Sequence, residues 1–348
     1  MCTSHEAVNR ALEFITATID HHGVARALHD FDPSFQQPLP GAAAEAKLRE
    51  RGVTLNISLN DDTFSTILAL TLLPTGYAHI PRLAAVVQGC RFGNRFPYFF
   101  TRKGFPYDTD STGLAAGGLI DHGLMSPQDE LAIGQELLLA VAPYDRVARD
   151  GAPALKRGVL MMYWEDGREP HSTLRGYKQD PVACAHVLYV LEHARELGLV
   201  DTGGVRDATL QYVVEHLSSE RYRQGSRYYV GPAPFLYAAS RLWRFDGCRA
   251  RLSYALPQAV NRLHDDRPQS PLFLAQYIIA ADNLGLDRHQ PECREQLAAQ
   301  QASDGSWPAC AYYRAAQHPI YFGSRVLTTL FAQRALQPTR CRDLTAKP

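Results

Sequence analysis

Asp108 and Asp110 stand two residues apart in GFPYDTDSTGLAAGGLI (104–120), with Ser111 and Thr112 directly behind them and an apolar run beyond. Two carboxyls held that close cannot both ionise cheaply, so one keeps its proton to higher pH and becomes a candidate general acid. Apolar surroundings would raise it further, whereas the positive end of a helix would lower it. The sequence leaves that contest open, and it leaves open the plainer role of Asp110 or Ser111 as a helix N-cap. A second acidic segment, Trp164-Glu165-Asp166-Gly167, offers Glu165 and Asp166 as supporting groups beside Ser111 and Thr112. Aromatic side chains crowd both segments, and their π faces suit a cationic intermediate. Those assigned to the pocket wall are Phe105, Tyr107, Tyr163 and Trp164, with Phe235, Tyr237, Tyr321 and Phe322 from later in the chain.

Such groups need a scaffold, and the punctuation of the chain supplies one. Six stretches that are apolar on most sides begin near Asp62, Asp110, Asp180, Gly231, Ser270 and Gly323. Each starts with a capping residue or a proline at the first turn, where a missing N–H costs nothing. Between them lie amphipathic segments at 4–20, 81–90, 127–142, 205–218, 249–264 and 288–302, with apolar residues recurring at three and four. The pattern is six pairs, each an outer amphipathic helix followed by an inner apolar one. It predicts an all-α protein, a single (α/α)6 toroid over residues 1–348. A partly irregular N-terminal segment covers 1–55, and a C-terminal tail covers 336–348. Only 57–59 and 227–230 look extended, so no substantial sheet is expected.

The bulk composition narrows the function classes. The 348 residues are 45% hydrophobic and carry 36 Lys+Arg against 36 Asp+Glu, which excludes disorder and argues against a nucleic-acid surface. No apolar run is long enough to span a bilayer, and the first residues lack an apolar signal core. Seven cysteines, odd in number and without a CxxC pair, read as reduced thiols of a cytoplasmic protein. GxSxG, HExxH, P-loop and GxGxxG patterns are all missing. His186 and His193, seven apart on one helix, read as packed or exposed side chains. Nothing in the sequence sets an oligomeric state.

One further element ties helices together. Gln301, Gly305 and Trp307 form Q-x3-G-x-W at the end of an outer helix, where the Gln amide can bond backbone while the Trp packs on the next turn. With YFGSRVLTTLFA after it, this element resembles the QW repeat and last helix of the squalene–hopene and class II terpene cyclase superfamily. DTDSTG resembles that superfamily's acid motif, with Ser111 at its third acidic position, and DPVACAHVL (180–188) resembles an inner-helix start. The resemblance implies that Asp110 protonates an isoprenoid or related polyene or epoxide, with Asp108 as its polarising partner and aromatics stabilising the carbocations. It implies no required cofactor, with Mg²⁺ entering only if the substrate carries a diphosphate. The partner is then a small hydrophobic, isoprenoid-like substrate. Squalene-type cyclases have two helical domains, whereas this chain reads as one, so its pocket must be the hollow of its own barrel.

Several alternatives stay beside this one. Asp108, Asp110, Glu165 and Asp166 would suit a carbohydrate-active toroid with paired carboxyls across a polar, Trp-lined cleft. A non-catalytic toroid resembling a prenyltransferase β subunit would use the acids only as caps. Asp246-Gly247-Cys248 resembles the zinc element of those subunits, with His318 completing the set. Arg91, Arg95, Arg102 and Lys103 would be candidate diphosphate ligands.

Overall fold

A computed structural model describes residues 4–19, 24–100, 104–148, 154–169, 174–265, 270–286, 290–316 and 318–337. Along the chain the helices are α1 (Ser4–Thr18), α2 (Gly41–Glu50), α3 (Phe64–Leu72), α4 (Ile80–Gly89), α5 (Thr109–Asp121), α6 (Pro127–Leu137) and α7 (Pro181–Glu196). They continue as α8 (Val205–Ser218), α9 (Ala233–Arg241), α10 (Asp246–Leu252), α11 (Ala255–Asp265), α12 (Pro271–Leu284), α13 (Gln290–Ala299) and α14 (Arg325–Leu336).

Each of the six predicted inner stretches is a helix, and these helices pack in a cycle. Helix α3 lies on α5, α5 on α7, α7 on α9, α9 on α12, α12 on α14, and α14 returns to α3. Nearly every residue of α5, α7 and α12 is buried, as continuous apolar sequence requires when a helix is enclosed on all sides. The outer segments take the opposite role: α4, α6, α8, α11 and α13 each place one buried stripe against an inner neighbour. The outer segment expected as one helix over 249–264 is divided between α10 and α11.

Side-chain caps fix where the inner helices start. Asp62 accepts from Ser65 N, Asp108 from Ser111 N, Asp180 from Val182 N and Ser324 from Leu327 N. The cap of α5 is therefore Asp108, two residues before the one expected from the sequence. Tight approach between α5 and α7 depends on Gly113, where an added Cβ would stand 3.0 Å from backbone atoms of His186 and Val187.

The expectation of a wholly helical chain needs correction. Strands β1 (Leu28–Asp30), β2 (Ala311–Arg314) and β3 (Tyr321–Gly323) form a small antiparallel sheet in the order β1-β3-β2. These strands are too short for alternation to register in the sequence, and β2 also carries an irregularity between Ala311 and Tyr313. Of the two segments expected to be extended, 227–230 contributes only a bridge from Tyr229 to Tyr313, and 57–59 is a bend and turn. The segment 1–55 contains α1, β1 and α2, and the tail from 338 onward lies outside the described residues.

The Q-x3-G-x-W element joins the two ends of the chain. Gln301 Nε2 donates to the carbonyls of Ala7 and Gly305, both at 2.9 Å, and its Oε1 accepts from Arg10. Trp307, fully buried, donates to Leu297 O, while its own N–H donates to Thr329 Oγ1 on α14. Gly305 sits at φ +87° directly against the backbone of Arg10, a position that no residue with a Cβ could fill without moving α1.

Candidate active site

Asp108 and Asp110 line a cavity of about 340 Å³. It opens where α3, α5, α7, α9 and α14 begin: Phe64, the two aspartates, Lys178, Tyr228 with Tyr229, and Phe322 all face it. Tyr98 is the hub of an aromatic wall, packing against Phe64, Phe99, Phe105, Tyr313 and Phe322 with ring centroids 4.5–6.5 Å apart. Tyr163 joins through Phe105, and its backbone bridges to Asp108.

The two aspartates have different partners. Asp108 Oδ1 accepts from Ser111 N at 2.6 Å and Oδ2 from Ser111 Oγ at 2.8 Å. Burial, reinforced by the neighbouring charge of Asp110, lifts Asp108 from the ordinary 3.8 to about 8, against the opposing pull of Ser111. The contest left open by the sequence is thus decided for Asp108 by desolvation. Asp110 Oδ1 lies 2.7 Å from His186 Nδ1, and Oδ2 accepts from the Tyr229 hydroxyl at 2.5 Å. His186 is held below its usual range by burial, opposed by Asp110. The Tyr229 hydroxyl is raised well above its ordinary value, by burial first and then by Asp110. It therefore stays protonated and remains a donor. A protonated carboxyl set against aromatic faces can deliver a proton to an apolar π system and then shelter the resulting cation.

Only part of the residue set assigned from sequence meets at this place. The cavity brings together Asp108, Asp110, Phe105, Tyr163 and Phe322. Ser111 supports Asp108, whereas Thr112 bonds the backbone of Asp108 and Phe96 as a packing element. Trp164 and Asp166 face away from the cavity into an ion cluster built on Arg95. There Arg95 meets Glu136, Asp166 and Glu169, with its guanidinium 4.3 Å above the Trp164 ring. Glu169 accepts from Tyr107 N, so the cluster clamps the 164–169 loop to the segment carrying the acids. Tyr107 is buried in that clamp and Glu165 caps Arg175 N, and neither lines the cavity. Phe235 packs against His216 and Tyr222, and Tyr237 against Phe331, both within the helix layers. Tyr321 is turned away into an adjoining cleft, because alternate strand residues face opposite sides and Phe322 takes the inner one.

The candidate diphosphate ligands are also redistributed. Arg95 is committed to its ion cluster and Arg91 to Asp129, while Arg102 and Lys103 lie outside the described residues. Asp246 is exposed beside Arg249, Cys248 is buried on α10, and His318 faces the cavity, so the three do not converge. Sequence reasoning passed over His186, whose only signal was a polar residue inside an otherwise apolar helix. Met162 and the basic residues Arg175, Lys178, Arg227 and Arg314 of the cavity gave no such signal.

Comparison with solved structures gives a match along 96% of this chain and 96% of the type II terpene cyclase MstE from Scytonema, with a TM-score of 0.65 and 15% identity. The chain has the type II terpene cyclase fold. A second structure of that cyclase, an aspartate-to-asparagine variant in complex with geranylgeranyl dihydroxybenzoate as substrate, matches with a TM-score of 0.65. A protein from Actinoplanes matches with a TM-score of 0.64 at 16% identity over 96% of this chain and 98% of its own. Among curated sequences, drimenol cyclase drtB from Aspergillus calidoustus is 28% identical over 261 residues. Those residues are 74% of this chain and 43% of the relative, so the chain spans less than half the length of the curated relative it matches. No family model matches. The resemblance read from DTDSTG and Q-x3-G-x-W is borne out by these comparisons. In this cyclase fold no described helix is long and apolar enough to cross a membrane.

Proposed function

We propose that this protein is a class II terpenoid cyclase, a single (α/α)6 toroid that protonates an isoprenoid or related polyene and closes rings through carbocations. The observation that carries this reading is a pair of buried carboxyls facing an aromatic-lined cavity, one of them held near pKa 8. The cycle of six inner helices supports the single toroid over residues 1–348. Asp108, held near pKa 8, keeps a proton at neutral pH, and by its place in the DTDSTG motif Asp110 is the group that hands a proton to the substrate. The alkene π electrons form the new C–H bond, and the tertiary cation left behind is attacked by the next double bond. Loss of a proton, or capture by water, ends the sequence.

His186 and Tyr229 keep both oxygens of Asp110 in place, and Asp108 is its polarising partner. Proton delivery by this pair asks nothing of a cofactor, and Mg²⁺ would enter only through a substrate diphosphate. The thiols of Cys184, Cys248 and Cys293 are free and buried, which fits a cytoplasmic setting. A sugar-cleaving site fits less well. Tyr and Phe rather than Trp line the cavity among the described residues, and Glu165 and Asp166 lie outside it.

The test is incubation with farnesyl diphosphate, geranylgeranyl diphosphate, squalene and their terminal epoxides, with and without EDTA, and mass spectrometry of the extracts. Asp110→Asn keeps the shape and removes the delivering carboxyl, so cyclised product should fall by about a thousandfold. Unchanged turnover in that variant would refute the assignment.

A further inference from the structure

The cavity is closed at the end that holds Asp110. Phe64, Tyr229 and Tyr313 line that end with it, and all four residues are buried. Their contacts make a continuous floor. The Phe64 ring meets Tyr313 edge-on at 5.2 Å, the Tyr313 backbone bridges to Tyr229, and the Tyr229 hydroxyl donates to Asp110. Directly behind stand Tyr312 and Phe331, fully buried and outside the cavity lining, with the Tyr312 ring 5.3 Å from those of Tyr229 and Phe331. From this floor β2 leads to the mouth, where Ala315 and His318 are half-buried and Ala316 is exposed. A chain entering by the mouth therefore ends at Asp110 and cannot thread past it.

We infer that the cavity is built for a polyene of farnesyl length, and that Phe64 sets this limit from the floor. The inference rests on the cyclase reading for the nature of the ligand and on the enclosed volume for its length.

The cavity encloses about 340 Å³. At the packing density of protein interiors, about 0.74, it holds about 250 Å³ of molecule, and at about 16 Å³ per isoprenoid carbon that is a chain of about fifteen carbons. A geranyl chain would leave about a third of that room unfilled and forfeit the dispersion contacts of the walls. A geranylgeranyl chain would need a density of about 0.95, well above crystalline packing, so its excess isoprene unit stays outside the mouth and buries nothing.

Phe64 is held where it stands. It opens α3 behind Asp62, which accepts from Ser65 N, and the Thr63 N–H donates to Tyr98 O. Its ring lies between those of Tyr98 and Tyr313. Truncating it to alanine frees about 100 Å³, the room that one more isoprene unit needs at the same density.

The test is calorimetric binding of geraniol, farnesol and geranylgeraniol to Asp110→Asn protein, which removes turnover, and to the same protein carrying Phe64→Ala or Phe64→Val. With Phe64 in place, affinity should rise by about 30-fold from geraniol to farnesol and by less than about 2-fold from farnesol to geranylgeraniol. Phe64→Ala should move the plateau outward, so that geranylgeraniol binds about 20-fold tighter than farnesol. Phe64→Val opens about half the room and should give a gain of about 5-fold, which keeps the floor testable where the alanine variant fails to fold. Thermal melts identify the folded variants. Affinity that climbs as steeply from farnesol to geranylgeraniol as from geraniol to farnesol, or that levels off already at geraniol, would overturn the length. A plateau unmoved in the folded Phe64 variants would overturn the floor assignment. None of these readouts needs turnover, so a protein with the farnesol plateau and no cyclised product would refute the cyclase reading alone.

Discussion

Replacing Asp108 by Asn should stabilise the protein while impairing it, by an amount that depends on pH in a defined direction. In the unfolded chain the Asp108 carboxyl ionises at its ordinary 3.8, whereas in the fold it stays neutral up to about 8. Below 3.8 the group is protonated in both states and costs nothing. Between 3.8 and 8 only the unfolded state releases the proton, so each pH unit removes about 1.4 kcal/mol of stability. Above 8 both states are ionised and the penalty is constant, at most about 6 kcal/mol. Asparagine carries no such penalty, its side-chain oxygen can still accept from Ser111 N, and its amide can donate to Ser111 Oγ. The advantage of the variant in urea unfolding should therefore grow by about 4 kcal/mol between pH 5 and pH 8 and then level off. Turnover should fall, because Asp110 loses its neighbouring carboxyl. A stability difference that is flat across pH 5–8, or a variant less stable than the parent at pH 8, would refute the claim that burial holds Asp108 neutral.

Other perturbations separate positioning from packing. Gly113→Ala places a methyl 3.0 Å from the α7 backbone, so it should push α5 off α7 and lower kcat more than it raises KM. An unchanged kcat would show that the Asp110–His186 contact tolerates the shift. Tyr229→Phe removes one of two bonds to Asp110 and should cut turnover by about tenfold, and by leaving a buried carboxyl oxygen unpaired it should cost about 1–3 kcal/mol in denaturant unfolding. Gln301→Ala removes three hydrogen bonds linking α13, α1 and the Gly305 turn, so denaturant unfolding should show a loss of about 2–4 kcal/mol. Its activity per folded molecule should be unaffected.

Much of this arrangement is legible in the chain because it rests on local physics. Apolar runs behind a cap or proline can only be buried helices, and their starts near 62, 110, 180, 231, 270 and 323 agree with the observed helices to within a few residues. The Gln301 and Trp307 staple was also readable, because an amide at a helix end and a large ring one turn later have few other uses. The DxD pair was visible for the same reason: two like charges at a helix mouth need an explanation wherever they occur.

What the sequence could not supply was direction. Tyr163 and Trp164 are neighbours, yet one faces the acids and the other stacks on Arg95, a choice made by an ion cluster drawn from three separate segments. Tyr321 and Phe322 are divided in the same way by the pleat of β3. His186 becomes the partner of Asp110 only because Gly113 lets two helices approach, seventy-six residues apart in the chain. The basic residues of the cavity likewise come from three segments that meet only in the folded chain. Composition and periodicity report what each residue needs, burial or solvent or a cap. Which burial site it finds, and beside which charge, is settled by contacts between distant segments, and those exist only in the folded chain.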